Sequence, residues 1–361
     1  MSKLKVAILF GGQSEEHEVS QMSAKSIIKN IDVNKYEIYL IGITKSGEWY
    51  LYQGNPEDIE KKGWEKSGIP VILGASTKYK GIFAFKEGGN EFYPIDIVFP
   101  VLHGPKGEDG TIQGLLELLS IPYVGANVLS SSLCMDKVFT KRIFKESGLP
   151  TADFISVYRN EINNMEEIKS KLTKENIGYP CFVKPANLGS SVGITKVHTE
   201  DELLEALNLA AKYDRKIIIE KGINAREIEC SVLGNNEPQA SIPGEIVPSN
   251  EFYDYNAKYF DDGKSILLIP APIPDVKINE VKDLSLKAYK ALDLNGMARV
   301  DFLMDKDTGE LYLNEINTIP GFTKISMYPK LWEASGKPYS ILIDELINLA
   351  IEMYEEKQTK I

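Results

Sequence analysis

The chain is poor in cysteine, has no excess of basic residues and contains no long hydrophobic run. Its three cysteines, Cys134, Cys181 and Cys230, are far apart in sequence, so neither a disulfide scaffold nor a cysteine metal site is expected. The net charge of −11 argues against a nucleic-acid-binding surface. No apolar stretch is long enough to span a membrane, and the run at 6–10 is too short for a signal peptide. We therefore expect a cytoplasmic protein with small-molecule partners, no nucleic acid and no membrane.

The chain is long enough for two or three domains. Its 361 residues are 43% hydrophobic and 26% charged, as in ordinary globular proteins. A strand at 6–10, a Gly-rich turn, a helix at 16–30 and a strand at 36–43 predict a parallel sheet with flanking helices. Further along, the pattern predicts a continuous helix at 131–147 and a long Tyr-rich loop at 249–264.

A predicted hairpin near the C-terminus carries the most informative side chains. Two apolar strands flank an Asp-Lys-Asp-Thr-Gly turn, a typical hairpin composition. If the turn centres on Thr308, the register places Asp301 opposite Glu315, Arg299 opposite Asn317 and Leu303 opposite Leu313, all on one face.

Opposed carboxylates on this face would repel each other, and a divalent cation between them would relieve the repulsion. Oxygen ligands from Asp, Glu and Asn suit Mg²⁺, which keeps its other positions for water and phosphates. The alternative is a solvated hairpin face. The apolar residues that border the cluster, among them Phe302, Met304 and Leu311, favour a metal–phosphate site.

A second motif, FVKPANLGSSVG at 182–193, places Lys184 on a strand before a loop of small residues. Backbone N–H groups and two serine hydroxyls in such a loop can approach phosphate oxygens closely. The motif is not a Walker A sequence, and an ordinary β-turn is the alternative. Glu220, Lys221 and Gly222 end another apolar strand, at a junction that could hold an adenine by backbone contacts and a ribose by a carboxylate.

Taken together, these motifs resemble the ATP-grasp superfamily, in which two α+β lobes clamp MgATP. Further segments narrow the resemblance to the D-alanine–D-alanine ligase family, and it runs from about residue 4 to about residue 350, weakest at 53–93. The segments are LFGGQSEEHEVS (9–20), LHGPKGEDGTIQG (102–114), MDK (135–137), KPANLGSSVGI (184–194), EFYDYNAKY (251–259), ARVDF (298–302) and NEINTIPGFTKISMYP (314–329).

The resemblance implies a three-domain fold, α/β followed by α+β. The expected domains are an N-terminal parallel-sheet α/β substrate-binding domain at 1–125, a central ATP-grasp lobe at 126–222 and a C-terminal lobe with the metal site at 223–361. The implied reaction joins two D-alanines through an acylphosphate, for peptidoglycan precursor synthesis. It implies ATP, two Mg²⁺ ions that Mn²⁺ can replace, a homodimer, and a lid formed by 249–264.

The resemblance also implies residue roles. Catalysis falls to Glu16, Ser190, Lys258, Tyr259, Arg299 and Gly321, of which Arg299 and the Gly321 N–H would stabilise an oxyanion. The residues implied to bind the substrates are Glu16, His103, Ser326 and Met327. Those implied to bind ATP are Lys137, Lys184, Gly189, Ser190, Ser191, Val192, Glu220, Lys221, Ile223, Glu227 and Asn314. Those implied to bind the metal ions are Asp301, Glu315 and Asn317.

Three alternatives remain open. The first is a sister ligase that uses D-serine or D-lactate second; such relatives commonly carry Arg where this chain has Met327, and D-lactate ligases lack the pair Lys258 and Tyr259. The second is another ATP-grasp carboxylate–amine ligase. The third is a catalytically silent nucleotide-binding scaffold, against which the full set of metal ligands argues.

Overall fold

The computed structural model describes residues 3–61, 63–74, 76–189, 192–248 and 266–358. These residues form three successive β-sheets with flanking helices, which confirms the predicted mixture of α/β and α+β architecture. Each of the three expected domains contains one sheet, while their boundaries stay a prediction. The expected lid at 249–264 lies outside the described residues.

The N-terminal sheet is mixed. In spatial order its strands are β6 (Gly89–Pro94), β5 (Gly81–Lys86), β4 (Ile69–Leu73), β3 (Trp49–Tyr52), β2 (Tyr36–Ile43), β1 (Leu4–Gly11) and β7 (Ile97–Pro100). Strands β2, β1 and β7 are parallel, as the β-α-β pattern predicted, with α1 (His17–Asn30) after β1 and α2 (Thr111–Leu118) after β7. The remaining strands extend the sheet in antiparallel fashion. Short strands such as 81–85 are predicted within 53–93, and β5 confirms that one, but their place at an antiparallel edge of the first sheet was not predicted.

The predicted helix at 131–147 is two helices, α3 (Val128–Met135) and α4 (Lys137–Glu146). The two helices are separated at Asp136, whose backbone is extended with φ −93° and ψ 100°. Its carboxylate accepts the N–H groups of Val138 and Phe139 at 3.1 and 3.2 Å and pairs with the buried ammonium of Lys216. A continuous helix would lose this cap and this ion pair, so the break is stabilised by a residue far away in sequence.

The central sheet is antiparallel and follows in the chain. Its strands, in spatial order, are β10 (Thr195–Val197), β9 (Cys181–Pro185), β11 (Lys216–Lys221) and β8 (Phe154–Tyr158). Helices α5 (Met165–Lys174) and α6 (Leu203–Ala210) cover one face, where Cys181 and Val183 are fully buried. Because side chains alternate along a strand, Phe182 and Lys184 point to the opposite face, part of which packs against Val138 of α4 and part of which lines a cavity.

The C-terminal sheet is also antiparallel. In spatial order it contains β15 (Ile266–Leu268), β14 (Gly244–Val247), β12 (Ala225–Leu233), β16 (Met297–Asp305) and β17 (Leu311–Asn317), with β13 (Gln239–Ala240) beside β12. Helix α7 (Asp275–Ala291) packs on one face of this sheet, together with α3 and α4. A short helix, α8 (Met327–Ala334), was not predicted, because Pro329 in its first turn reads as a breaker although proline is tolerated there.

The last helix, α9 (Tyr339–Gln358), packs on the first sheet. Leu342 and Leu346 lie in one fully buried cluster with Val6, Ile8 and Phe10 of β1. The other face of β1, through Ala7 and Leu9, packs on α2, so this strand is buried on both sides. The final helix therefore belongs structurally to the N-terminal sheet.

Cys134, Cys181 and Cys230 are all buried free thiols. Across the part of the chain that the structure describes, no helix combines the length and the apolarity that crossing a membrane requires.

We predict that Asp136→Asn lowers the free energy of unfolding by about 3 kcal/mol, because it leaves the Lys216 ammonium buried without a counter-charge. Asp136→Ala should lower it by about 1 kcal/mol more, because the helix cap is also lost. Urea denaturation measures both. As a control, Asp153→Asn breaks an exposed pair with Lys145 (3.5 Å) and should cost less than about 1 kcal/mol. Wild-type stability in Asp136→Asn would show that the buried pair is not structural.

Candidate active site

Two adjoining cavities lie where the three sheets meet. The larger, of about 610 Å³, separates the central and C-terminal sheets, and its volume is typical of small-molecule sites. The smaller, of about 110 Å³, lies between the C-terminal sheet and the loops that follow β1 and β7. The residues that line both cavities are Lys137, Leu188, Gly189, Glu229, Ile246 and Glu315.

The larger cavity collects the residues predicted to bind ATP. It is lined by Lys137, Lys184, Gly189, Glu220, Lys221, Ile223, Glu227 and Asn314. Of the described members of that set, Val192 alone lies outside both linings. Ser190 and Ser191 fall outside the described residues, as do Lys258 and Tyr259, and their roles stay predictions.

A short linker, residues 222–224, connects β11 to β12 and so joins the two sheets that enclose this cavity. The Gly222 N–H donates to the Pro180 carbonyl at 3.0 Å. A Cβ at Gly222 would lie 2.3 Å from that same oxygen, so only glycine fits. The linker backbone is thereby fixed along the rim of the cavity.

Glu220 is the centre of a buried charge cluster at the inner end of the larger cavity. Its carboxylate lies 2.7 Å from the Lys184 Nζ and 3.4 Å from the Lys141 Nζ, and both Glu220 and Lys141 are almost fully buried. Burial alone would raise the pKa of Glu220, but the two ammonium groups bring it down to about 2. Burial would likewise lower the pKa of Lys184, yet the Glu220 carboxylate raises it. Glu220 is therefore an anion that holds Lys184 in the cavity.

The Gly-rich loop after β9 is fixed by the first residue of α4. The Lys137 backbone N–H donates to the Ala186 carbonyl at 3.0 Å, and its Nζ donates to the Leu188 carbonyl at 2.6 Å. The same Nζ lies 3.9 Å from the Glu315 carboxylate. Lys137 thus places a positive charge at the junction of the two cavities, beside Gly189, where the prediction expects nucleotide phosphates.

The hairpin of β16 and β17 has the predicted register next to the cavities and a different one near its turn. Asp301 lies opposite Glu315 and Arg299 opposite Asn317, as predicted, but Leu313 lies opposite Phe302 rather than Leu303. The difference is a β-bulge that inserts Asn314 after Leu313.

The bulge changes which side chains face the cavity. Leu313 and Ile316 both lie in the core, so the prediction that Leu313 shares a face with Glu315 was wrong. Asn314 and Glu315, although consecutive, both line the larger cavity. At the outer edge of β17 the Leu313 N–H donates to the Pro150 carbonyl at 2.8 Å, and its carbonyl accepts the Thr151 hydroxyl at 2.9 Å.

The repulsion expected between Asp301 and Glu315 is already relieved by protein groups. Arg299 donates two hydrogen bonds of 2.7 Å to Asp301, and the Asn317 amide donates a third at 2.8 Å. Glu229, opposite Asp301 on β12, lies 2.9 Å from Arg299. The fold itself therefore neutralises Asp301, and the pair of carboxylates does not by its repulsion alone require a metal ion.

The donor chemistry nevertheless fits a cation. Among the described residues no group of three or more His, Cys, Asp and Glu side chains is arranged to hold a metal. The hairpin offers two carboxylates, Asp301 and Glu315, and the Asn317 amide where the two cavities adjoin. Mg²⁺ is usually bound by one or two carboxylates together with substrate phosphates. The set therefore suits Mg²⁺ that arrives with a nucleotide.

The smaller cavity gathers the residues predicted to bind the amino-acid substrates, Glu16, His103, Ser326 and Met327, together with Arg299 and Gly321. A Cβ added at Gly189 would lie 3.5 Å from the Glu16 Oε2, so this carboxylate reaches the Gly-rich loop after β9. His103 is buried, and burial lowers its pKa.

The opposite end of the smaller cavity is the start of α8. Ser326 precedes the first helical residue, Met327, so the helix N-terminus favours an anion such as a carboxylate there. A Cβ at Gly321 would lie 2.6 Å from the Ser326 Oγ, which shows how closely the two predicted binding groups pack. The Met327 side chain is buried against Ile246 and Leu331, so this end of the cavity is partly apolar.

Three functional candidates were missed from the sequence: Glu108, Lys141 and Glu229. Glu229 follows Glu227 by two residues, so strand alternation could have placed it on the cavity face. Glu108 lies in the segment HGPKGEDG, and burial together with the nearby Glu16 carboxylate raises its pKa to about 8. Nothing in the sequence marks Lys141, which looks like a solvated helix residue.

Comparison with known proteins shows to which family the chain belongs. The family models D-ala D-ala ligase N-terminus and D-ala D-ala ligase C-terminus match residues 5–126 and 143–348. The chain is 75% identical over 357 residues to a D-alanine–D-alanine ligase from Thermoanaerobacter sp. (strain X514), covering 99% of both chains. It is 54% identical over 359 residues to one from Caldicellulosiruptor bescii, covering 99% of this chain and 98% of that one.

Solved structures show the same fold. The VanG D-Ala:D-Ser ligase from Enterococcus faecalis matches with a TM-score of 0.87 and 40% identity, over 97% of this chain and 100% of that one. The D-alanine–D-alanine ligase from Coxiella burnetii matches with a TM-score of 0.86 and 39% identity, over 99% and 97%. Fold and site thus define an ATP-grasp ligase. Within that class, the chain belongs to the D-alanine–D-alanine ligase family.

We predict that Asp301→Asn and Glu315→Gln each lower kcat by about 100-fold or more, because a lost metal ligand removes several kcal/mol of charge stabilisation. A chelator should abolish turnover of the wild type in the same assay of ADP release. Glu310→Gln, on the exposed turn of the same hairpin, is the control and should be nearly normal. Normal turnover of either site variant with Mg²⁺ would refute the metal assignment, provided that melting shows all variants folded.

We also predict that Lys141→Met lowers the free energy of unfolding by about 3–5 kcal/mol, because it leaves the buried Glu220 carboxylate with one cation instead of two. Lys145→Met is the matched control one turn along α4, where the ion pairs are exposed and contribute less than about 1 kcal/mol. Urea denaturation of both variants measures the difference. Equal stabilities would mean that Lys141 does not hold Glu220.

Proposed function

We propose that this chain joins two molecules of D-alanine to D-alanyl-D-alanine at the expense of ATP, for the synthesis of peptidoglycan precursors. The observation that carries the proposal is the junction of the two cavities at Lys137, Gly189 and Glu315. A nucleotide in the larger cavity would present its terminal phosphate there. An amino acid in the smaller cavity would present its carboxylate from the other side.

In the first step the carboxylate of one D-alanine attacks the γ-phosphate and ADP leaves, which gives an acylphosphate. Two anions must approach each other, so the site has to supply positive charge. Lys137 and Lys184 provide it on the nucleotide side, and Arg299 provides it on the hairpin. Glu16, close to Gly189, is placed to hold the ammonium group of this first substrate.

In the second step the amine of another D-alanine attacks the acyl carbon and phosphate leaves. The oxygen of the tetrahedral intermediate becomes negative, and Arg299 with the Gly321 N–H is proposed to stabilise it. The carboxylate of the second D-alanine is proposed to bind at Ser326 and the N-terminus of α8. Lys258, Tyr259 and Ser190 complete the proposed machinery on the strength of the family resemblance.

Two Mg²⁺ ions, replaceable by Mn²⁺, are proposed to be held by Asp301, Glu315 and Asn317, and they would screen the phosphate charge during transfer. The Arg299 guanidinium is hydrogen-bonded to the Asp301 carboxylate. When a metal ion binds, this guanidinium must either share that carboxylate with the ion or turn toward the substrate. Either outcome makes the hairpin charges respond to the bound nucleotide.

We further propose a cytoplasmic location, supported by the buried free thiols and by the need for ATP, and a homodimer, supported by the family resemblance. Sedimentation at micromolar concentration would test the second point.

A D-alanine–D-serine ligase is the alternative that the comparison with the VanG enzyme favours. Against it, the side chain at 327 is a methionine buried among apolar residues, whereas relatives that use D-serine or D-lactate commonly carry arginine there. ADP release measured with D-alanine, L-alanine, D-serine or D-lactate as substrate separates these functions.

We predict that D-alanyl-D-alanine dominates the products from an equimolar mixture of D-alanine and D-lactate between about pH 6 and about pH 9. D-alanine is mostly ammonium at neutral pH, so activity with it should rise toward about pH 9 as more free amine forms. D-lactate has no amine and should give little product at any pH. A product mixture dominated by the depsipeptide across this range would contradict the proposal.

A further inference from the structure

The segment 319–322 carries Gly321 into the smaller cavity, and groups from outside the C-terminal sheet hold it at both ends. At one end, the Ile319 N–H donates to the Glu108 carboxylate at 3.4 Å, and the Ile319 carbonyl lies 3.1 Å from the His103 Nδ1. Both side chains follow β7 of the N-terminal sheet. Gly321 therefore lies two residues after Ile319, whose backbone N–H and carbonyl are both hydrogen-bonded to side chains.

The other end of the segment is held in the same way. The Phe322 N–H donates to the Ser23 Oγ at 3.2 Å, and the Phe322 carbonyl accepts the Tyr339 hydroxyl at 2.7 Å. Ser23 is fully buried on α1, and Tyr339 begins α9. The Phe322 ring packs in the core against Phe99, with 6.1 Å between ring centroids, so its backbone has little freedom.

The hydrogen bonds specify the tautomer of His103. A carbonyl can only accept, so the Nδ1 must carry the proton that it donates to Ile319. The Nε2 then accepts from the Ser23 hydroxyl, 3.0 Å away, and Ser23 in turn accepts the Phe322 N–H. Burial lowers the pKa of His103, in agreement with this neutral ring. One chain of bonds thus runs from Phe322 through Ser23 and His103 to Ile319.

This chain of bonds also reaches the group proposed to hold the first substrate. The His103 carbonyl accepts the Ser14 hydroxyl at 2.7 Å, and the Ser14 oxygen accepts the Glu16 N–H at 3.1 Å. Hydrogen bonds therefore connect both Glu16, through Ser14, and the segment 319–322 to His103.

We refer to four side chains as the clamp: Ser23, His103, Glu108 and Tyr339. We propose that the clamp positions the segment 319–322, so that the Gly321 N–H and the neighbouring Ser326 meet the acyl group and the second substrate in the orientation required for attack. Its members are positioning residues, and Ser23 and Tyr339 line neither cavity among the described residues. This inference rests on the proposed function and adds to it what aligns the second half-reaction.

The test is Ser23→Ala, assayed for both products. If the second-substrate site is misplaced, water hydrolyses the acylphosphate to D-alanine and phosphate before the second amine attacks it. ADP release should then exceed dipeptide formation. We expect kcat for dipeptide to fall about tenfold while the KM for ATP changes less than about twofold. The ratio of dipeptide to ADP should be near one in the wild type and clearly lower in the variant. A merely structural loss would reduce both products together.

Ser241→Ala is the matched control. Its hydroxyl is also fully buried, accepts the Ser231 N–H at 3.0 Å and donates to the Ile242 carbonyl at 2.9 Å, away from both cavities. It should lower the melting temperature and leave the product ratio at one. If Ser23→Ala fails to fold, Tyr339→Phe removes a single hydroxyl, the one that donates to the Phe322 carbonyl of the same segment, and should also lower the ratio. An unchanged ratio and kcat in the folded variant overturn the clamp.

Hydrogen exchange separates this inference from the proposed function. In the free protein, Ser23→Ala should speed exchange of the Phe322 amide, while Ser241→Ala should not, and this measurement needs no turnover. Faster exchange with a wild type that makes no D-alanyl-D-alanine would refute the substrate assignment and leave the clamp standing. Unchanged exchange together with an unchanged product ratio, in an active wild type, would refute the clamp alone.

Discussion

The buried carboxylate of Glu220 organises the nucleotide side of the site. An anion inside a protein is tolerable only when cations are held close to it, and here Lys141 and Lys184 do this from α4 and β9. Because Lys141 is one turn beyond Lys137 on the same helix, the pairing also fixes where Lys137 enters the junction of the cavities. A single buried carboxylate therefore pairs with Lys141 and Lys184, and of the three lysines Lys137 and Lys184 line the larger cavity.

Much of the site was predictable from alternation along strands. On β9, β11, β12 and β16, apolar residues at every second position face the helices, and the charged residues between them face the cavities. Such predictions succeed because the period of two is a local property of the chain, fixed by the backbone itself. The register of the hairpin was instead predicted from a turn centred on Thr308, and it holds at Asp301 and Arg299 because the bulge at Asn314 shifts it from the register nearer the turn.

The features that the sequence did not reveal depend on partners far away in the chain. The bulge at Asn314 directly follows Leu313, whose backbone N–H and carbonyl are hydrogen-bonded to Pro150 and Thr151, about half the chain away. The helix break at Asp136 depends on Lys216, and α9 packs on a sheet formed by the opposite end of the chain. The antiparallel edge at 53–93 lacked a strong pattern because its strands are short and partly exposed. None of these partners can be chosen from local composition.

The two halves of the reaction draw on different parts of the fold. The larger cavity, where the nucleotide is proposed to bind, is enclosed by the central and C-terminal sheets, joined by the linker at 222–224. The smaller cavity, where the amino acids are proposed to bind, depends on Glu16, which precedes α1, and on His103 in the loop after β7. Since the acylphosphate is proposed to form where the cavities join and to be attacked by the second D-alanine from the smaller cavity before water reaches it, the alignment of the two cavities matters as much as either site alone. Lys137 and Glu315 are among the residues that line both cavities. A shift of one cavity relative to the other would therefore displace these side chains from one of the two proposed ligands.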